Sequence, residues 1–216
     1  MNITSKVDSR ENSEQVYNFY IKRSLDYLFA TLLLILCIPL LIVISLLIKL
    51  DSPGPIFYKQ QRVDLNKECF YIWKFRTMTI DAEVIQSQLE LKNDLTGGVL
   101  FKLKNDPRVT RFGTFLRRSS LDELPQIINV LMGEMSIIGP RPLSIRDAQR
   151  VSDRIVSRYD ILPGITGLWQ VKGRNSLNSE EIFVWDDIYV TQWSLVLDFK
   201  IMLQTFLVVI KADGAY

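Results

Sequence analysis

Hydrophobic and polar positions are unevenly spread along the chain, and the strongest feature is one long apolar run. From Tyr27 to Ile48, YLFATLLLILCIPLLIVISLLI holds no charged residue over 22 positions. At about 1.5 Å per residue, a straight helix of that length crosses a hydrocarbon core of roughly 30 Å. Pro39 falls near the midpoint and divides the run into two apolar halves. Lys22 and Arg23 precede it, and Lys49, Lys59 and Arg62 follow it, so the flanking charges give no inside–outside bias. Two readings fit: a helix-break-helix hairpin entering and leaving by one face, or a bent single span. A polar leader containing Asp8, Glu11 and Glu14, with no small-residue cleavage site after the run, argues against a cleaved signal peptide.

The rest of the pattern predicts short strands among helices. Residues 1–20 are polar and read as a loosely ordered tail. SPGP, Ser52 to Pro55, is a turn. IFYKQQRV and CFYIWKFRTM have the aromatic and branched content of two strands joined by polar DLNKE. Helices are predicted over Ala82–Lys92, Ser120–Met132, Ile145–Tyr159, Ser179–Tyr189 and Trp193–Ile210. LPGITGLWQVKGRN reads as a glycine-punctuated loop. The last helix carries apolar residues at helical spacing but also Asp198, Lys200 and Gln204, which suits an interfacial helix or one packed on the core. The class is α/β, mostly helical with short strands, and carries a membrane segment.

Composition narrows the chemistry. A formal charge of +2 demands no nucleic-acid partner, and the chain has no histidine. Histidine triads, histidine general bases and histidine metal sites are therefore excluded. Catalysis must come from carboxylates, lysine, tyrosine, cysteine or an oxygen-bound metal. Cys37 lies in the apolar run and Cys69 in a polar region, so they do not form a disulfide framework, which implies a reducing compartment.

Three loops, RRSS, GPRP and KGRN, set arginine beside glycine or proline or in pairs, and KFRTM adds Lys74 and Arg76. Guanidinium forks grip phosphate, and glycine lets backbone amides approach an anion. In RRSSLDELPQ, Ser120 and Glu123 form a capping-box pattern, so the bland reading of Asp122 and Glu123 is a helix start. Near a bound phosphate two carboxylates would repel it unless a divalent cation lay between them. Mg²⁺, which takes carboxylate and phosphate oxygens, suits that place. One carboxylate could then attack phosphorus. The residues thus suggest phosphoryl-type transfer onto or from a membrane lipid.

KRSLDYLFA, SPGPIFYKQQRV, KFRTM, NDPRVTRFGTFLRRSSLDELPQIINVLMGEMSIIGPRPL, LPGITGLWQVKGRN and LDFKIML follow one another in an order that resembles the monotopic phosphoglycosyl transferases, the bacterial sugar transferases. The resemblance runs from about Tyr20 to the C-terminus. It implies transfer of a sugar-1-phosphate from a UDP-sugar to polyprenyl phosphate, giving polyprenyl-diphosphate-sugar and UMP, the first membrane step of polysaccharide assembly. It also implies a re-entrant hairpin broken at Pro39, spanning 21–50, after a 1–20 tail and before a 51–216 catalytic domain on the cytoplasmic face of the bacterial plasma membrane. Asp122 would be the nucleophile and a Mg²⁺ ligand, with Glu123 its dyad partner and fellow ligand. Lys74, Arg117 and Arg141 would contact phosphate and Asp198 would be a further active-site position; beside them Arg76 is a substrate-binding candidate from its charge, and Gln170 and Arg174 are donor-binding candidates. Downstream glycosyltransferases are candidate partners. The chain matches a minimal catalytic unit without the extra membrane helices of larger relatives.

Two departures stand out. Asp64 replaces a glycine common in the turn after the first strand, and Asp187 replaces an apolar residue, which leaves the assignment of neighbouring Asp186 open. Other classes remain in view: a non-catalytic scaffold for glycan assembly, or a hydrolase whose covalent intermediate falls to water. A lipid-binding basic patch is disfavoured because Asp51, Asp64 and Glu68 dilute the lysines beside the membrane segment.

Overall fold

The computed structural model describes residues 3–63, 65–82, 84–85, 106–150, 157–173 and 177–211. It is mostly helical with a few short strands. Helix α1, Ile3–Asp51, is one continuous helix with Pro39 inside it. The expected break at Pro39 thus does not interrupt the helical backbone, because a proline removes only its own amide bond to the preceding turn. Residues read as a loose tail are likewise part of α1 from Ile3 onward.

Asn18–Asp51, 34 residues, is long and apolar enough to cross a membrane. One stripe of it, Ala30, Leu34, Leu41, Ile44 and Ile48, packs on the domain. Those spacings of four, seven, three and four residues follow one helix face. Leu32, Leu36, Ile42 and Leu46 on the other faces stay exposed. So large an apolar surface calls for lipid rather than water.

The alternating run Phe57–Val63 forms β1 and Cys69–Phe75 forms β2, paired antiparallel in the register Phe57↔Phe75 to Val63↔Cys69. Here the two predicted strands fall as read. After α2, Arg111–Arg118, a 3-10 turn over Leu121–Gln126 leads into α3, Ile127–Met132. Strand β3, Ser136–Ile138, pairs parallel with β5, Gly164–Thr166, and β4, Leu143–Ser144, pairs with the end of β1. Two short helices and two longer ones complete the described chain: α4 Ile145–Arg150, α5 Leu168–Lys172, α6 Ser179–Thr191 and α7 Leu195–Lys211. The segment read as pure loop therefore contains β5 and α5. Most of the helix expected over Ala82–Lys92 lies outside the described residues.

Two devices position the site. Asn129, fully buried on α3, mimics a neighbouring strand: its Oδ1 accepts from Trp73 N at 3.0 Å and its Nδ2 donates to Tyr71 O at 2.7 Å. This pins the 3-10 turn over β2. The stem of α1 reads the backbone around β3 in the same way. Lys22 Nζ donates to Ile138 O (3.0 Å), Arg23 Nη1 to Met135 O (2.8 Å), and Asp26 Oδ1 accepts from Ile137 N (3.0 Å). The long apolar helix is thus bonded to the strand that feeds the GPRP loop.

Candidate active site

The dyad is presented by an abrupt change of direction. Ser119 ends α2, and Ser120 adopts a left-handed conformation (φ 56°, ψ 17°) that costs a non-glycine residue about 1 kcal/mol. Its side chain makes no cap bond, so the predicted capping box at Ser120 and Glu123 does not form. Pro125 supplies no amide for an α-helical bond to Leu121, and the chain tightens into the 3-10 turn instead. The predicted Ser120–Met132 helix is accordingly split in two. Freed from capping, the Glu123 side chain turns inward.

Glu123 is clamped. Lys74 Nζ donates to its Oε1 at 2.9 Å, Arg141 Nη1 donates to its Oε2 at 3.0 Å, and Arg141 Nη2 also donates to Oε1. Burial alone would lift its carboxyl, but Arg141 and Lys74 override that and hold it well below the usual carboxylate range. Asp122 is buried and makes no hydrogen bond or ion pair among the described residues. Burial, then the charge of Glu123, pushes its carboxyl up to about 6, against the pull of Lys74, Arg117 and Arg141. One carboxylate is locked ionised while its neighbour is left open, basic and poised close to neutrality.

Arg117 reaches the same place from α2, fixed by Nε donating to Thr77 Oγ1 at 3.0 Å; burial lowers its pKa. Burial also lowers Lys74. Arg62, which the sequence reading treated only as a flanking charge, is a fourth cation of the cluster. It donates to Pro142 O at 3.1 Å, and burial together with nearby Arg141 brings it down to about 10. Four half-buried cations around two carboxylates leave an excess of positive charge suited to a multiply charged anion.

The other candidates lie elsewhere. Arg76 spends both terminal nitrogens on the SPGP turn, donating to Pro53 O (2.8 Å) and to Ser52 O (2.6 Å). Asp198 bonds Lys22 (2.6 Å), Tyr189 Oη (2.7 Å) and Trp193 Nε1 (3.2 Å), none of which touches the dyad. Gln170 sits on α5, its Nε2 3.4 Å from Ile165 O. Arg174 lies outside the described residues.

No group of three or more Cys, Asp or Glu side chains forms a metal cage among the described residues. The donor chemistry nonetheless suits a cation bound jointly with substrate phosphate. Asp122 offers a carboxylate without a partner, whereas both Glu123 oxygens are already taken by cations.

This open carboxylate ringed by cations, carried by a domain on an apolar helix, belongs to a known family. The bacterial sugar transferase family matches residues 17–212, and the chain is a member of it. The galactosyl transferase CpsE of Streptococcus agalactiae is 42% identical over 90% of this chain and 43% of its own length. The UDP-glucose:undecaprenyl-phosphate glucose-1-phosphate transferase of Escherichia coli is 41% identical over 87% of this chain and 40% of its own length. The exopolysaccharide production protein ExoY of Rhizobium meliloti is 39% identical over 90% of this chain and 88% of its own length. The chain thus spans less than half of the first two relatives and most of the third.

Proposed function

We propose that the protein transfers a sugar-1-phosphate from a UDP-sugar to polyprenyl phosphate at a membrane face. The observation that carries this reading is the asymmetry of the dyad, an open Asp122 beside a clamped Glu123. Asp122 attacks the phosphorus bonded to the sugar, and the bond to the bridging oxygen breaks, so that UMP leaves with the electron pair. The sugar phosphate stays on the Asp122 carboxyl. A phosphate oxygen of the lipid then attacks the same phosphorus, releasing Asp122 and forming the diphosphate. Both steps keep charge constant at a site where Lys74, Arg117 and Arg141 offset the phosphoryl oxygens.

Asp122 would hold Mg²⁺, and the ion would supply neutralisation of developing charge. Glu123 anchors the two cations and keeps them oriented. The apolar helix places the site at lipid depth. Its stem bonds the backbone around β3 and its far end packs Ile44 and Ile48 on Phe75 and Leu116. With its stem and far end both packed on one domain, the unbroken α1 would lie along that domain with its exposed apolar face in lipid.

The test is UMP release by purified protein in nanodiscs given polyprenyl phosphate, Mg²⁺ and a panel of UDP-sugars. Release that needs lipid, one preferred sugar and intact Asp122 supports transfer. Equal release without lipid would mean that water takes the intermediate, a hydrolase. Silence with every donor favours a scaffold.

A further inference from the structure

The loop Gly139–Pro142 carries Arg141, yet its two prolines cannot donate to a ladder. It is held mainly by its carbonyls. Pro140 O accepts from Gly164 N at 2.9 Å, and Pro142 O from Arg62 Nη1 at 3.1 Å. The carbonyl of Arg141 itself accepts from Arg158 Nη2. Arg158 comes from the turn Ser157–Tyr159 and is buried, and its Nη1 lies 3.2 Å from Asp186 Oδ2 on α6. Asp186 is only 1% exposed, and Arg158 is its one ion-pair partner among the described residues. A buried ion pair adds little stability over a well-packed apolar pair of the same size. What an apolar pair could not do is grip a carbonyl.

We propose that Arg158, neutralised by Asp186, is a positioning residue that sets the backbone of Arg141 so that its guanidinium meets Glu123 and the donor diphosphate. The inference rests on the transfer reading above and adds to it a role for two buried residues outside the dyad. Aligning a catalytic group to within an ångström is worth up to about a hundredfold in rate. Arg158→Lys keeps the charge facing Asp186 but gives up the planar fork that spans carboxylate and carbonyl together. Asp186→Asn removes the charge at constant shape.

The experiment is a double-mutant cycle between position 158 and Arg141. Arg158→Lys is expected to lower kcat roughly 10–100-fold while the melting temperature stays within a few degrees and KM for the lipid acceptor is unchanged. In an Arg141→Ala background the same substitution should cost less than about twofold, because its target is gone. Asp186→Asn should follow the same pattern in kcat but melt lower, because it leaves the buried Arg158 charge unpaired; two variants keep the proposal testable if one folds poorly. Equal losses in both backgrounds, or full activity of folded Arg158→Lys, would overturn it. The same cycle read as UDP affinity by calorimetry judges the clamp without turnover. An inactive wild-type protein would therefore remove the transfer reading alone.

Discussion

Asp122 and Glu123 are neighbours in sequence and opposites in environment: Glu123 is held by Lys74 and by both terminal nitrogens of Arg141, and the Asp122 side chain has no such partner among the described residues. The left-handed turn at Ser120 and the tight turn that follows aim the two side chains differently.

As the proposed nucleophile Asp122 must be ionised, so kcat/KM should fall as pH drops through about 6, and Asp122→Asn should lose roughly 10⁴-fold or more. Stability runs the other way. Between about pH 4 and 6 the folded chain binds more protons here than the unfolded one, so stability declines as pH rises through that window. At pH 7.5 Asp122→Asn should therefore melt above wild type, by about 3–8 °C. That gap should close as pH falls toward 4. Calorimetry across pH checks the sign, and a variant melting lower at pH 7.5 would contradict it.

Glu123→Gln removes the charge that helps to raise Asp122 and also unmasks Lys74 and Arg141. Both effects pull the Asp122 carboxyl down. The acid limb of the pH–rate profile should move below its wild-type position while the rate drops about a hundredfold. A limb that stays in place would show that another group sets it.

Asp198→Ala leaves Lys22 facing an emptied site between α1, α6 and α7. With the pair only slightly exposed, the loss should be about 2–4 kcal/mol, read as a lowered melting temperature in detergent. Because its bonds lead away from the dyad, KM for the UDP-sugar should hold below that temperature. A large rise in KM with the fold intact would instead put Asp198 in contact with the donor.

Helix α7 buries Ile201 and Asp198 but exposes Val196, Phe199, Leu203, Phe206 and Leu207. That face should lie in the membrane interface beside α1. In a Cys37→Ala, Cys69→Ser background, a fluorophore on Leu203→Cys should be quenched by lipid-borne quenchers, and one on Glu180→Cys should not. Equal quenching at both positions would reject the orientation.

Much was legible in the chain itself. The apolar run, the two strands β1 and β2 and the helices α6 and α7 follow from periodicity, because local pattern dictates which face is apolar. The motif order places Asp122, Glu123, Lys74, Arg117 and Arg141, and the structure brings those five together. The sequence alone also excluded histidine chemistry and set the membrane segment, since both depend only on which residues are present.

Tertiary structure decided the rest. A capping box and a clamped carboxylate have the same sequence, and only the packing of α3 on β2 chose the second for Glu123. Pro39 forbids one hydrogen bond, but whether the helix continues depends on its surroundings. Arg76, Asp198, Arg62 and Arg158 are all cations or carboxylates near family motifs. Which of them faces the dyad, a turn or a loop carbonyl is set by contacts 17 to 176 residues apart in the chain. An ionisable group takes its role from its burial and its partners, and those exist only once the chain has folded.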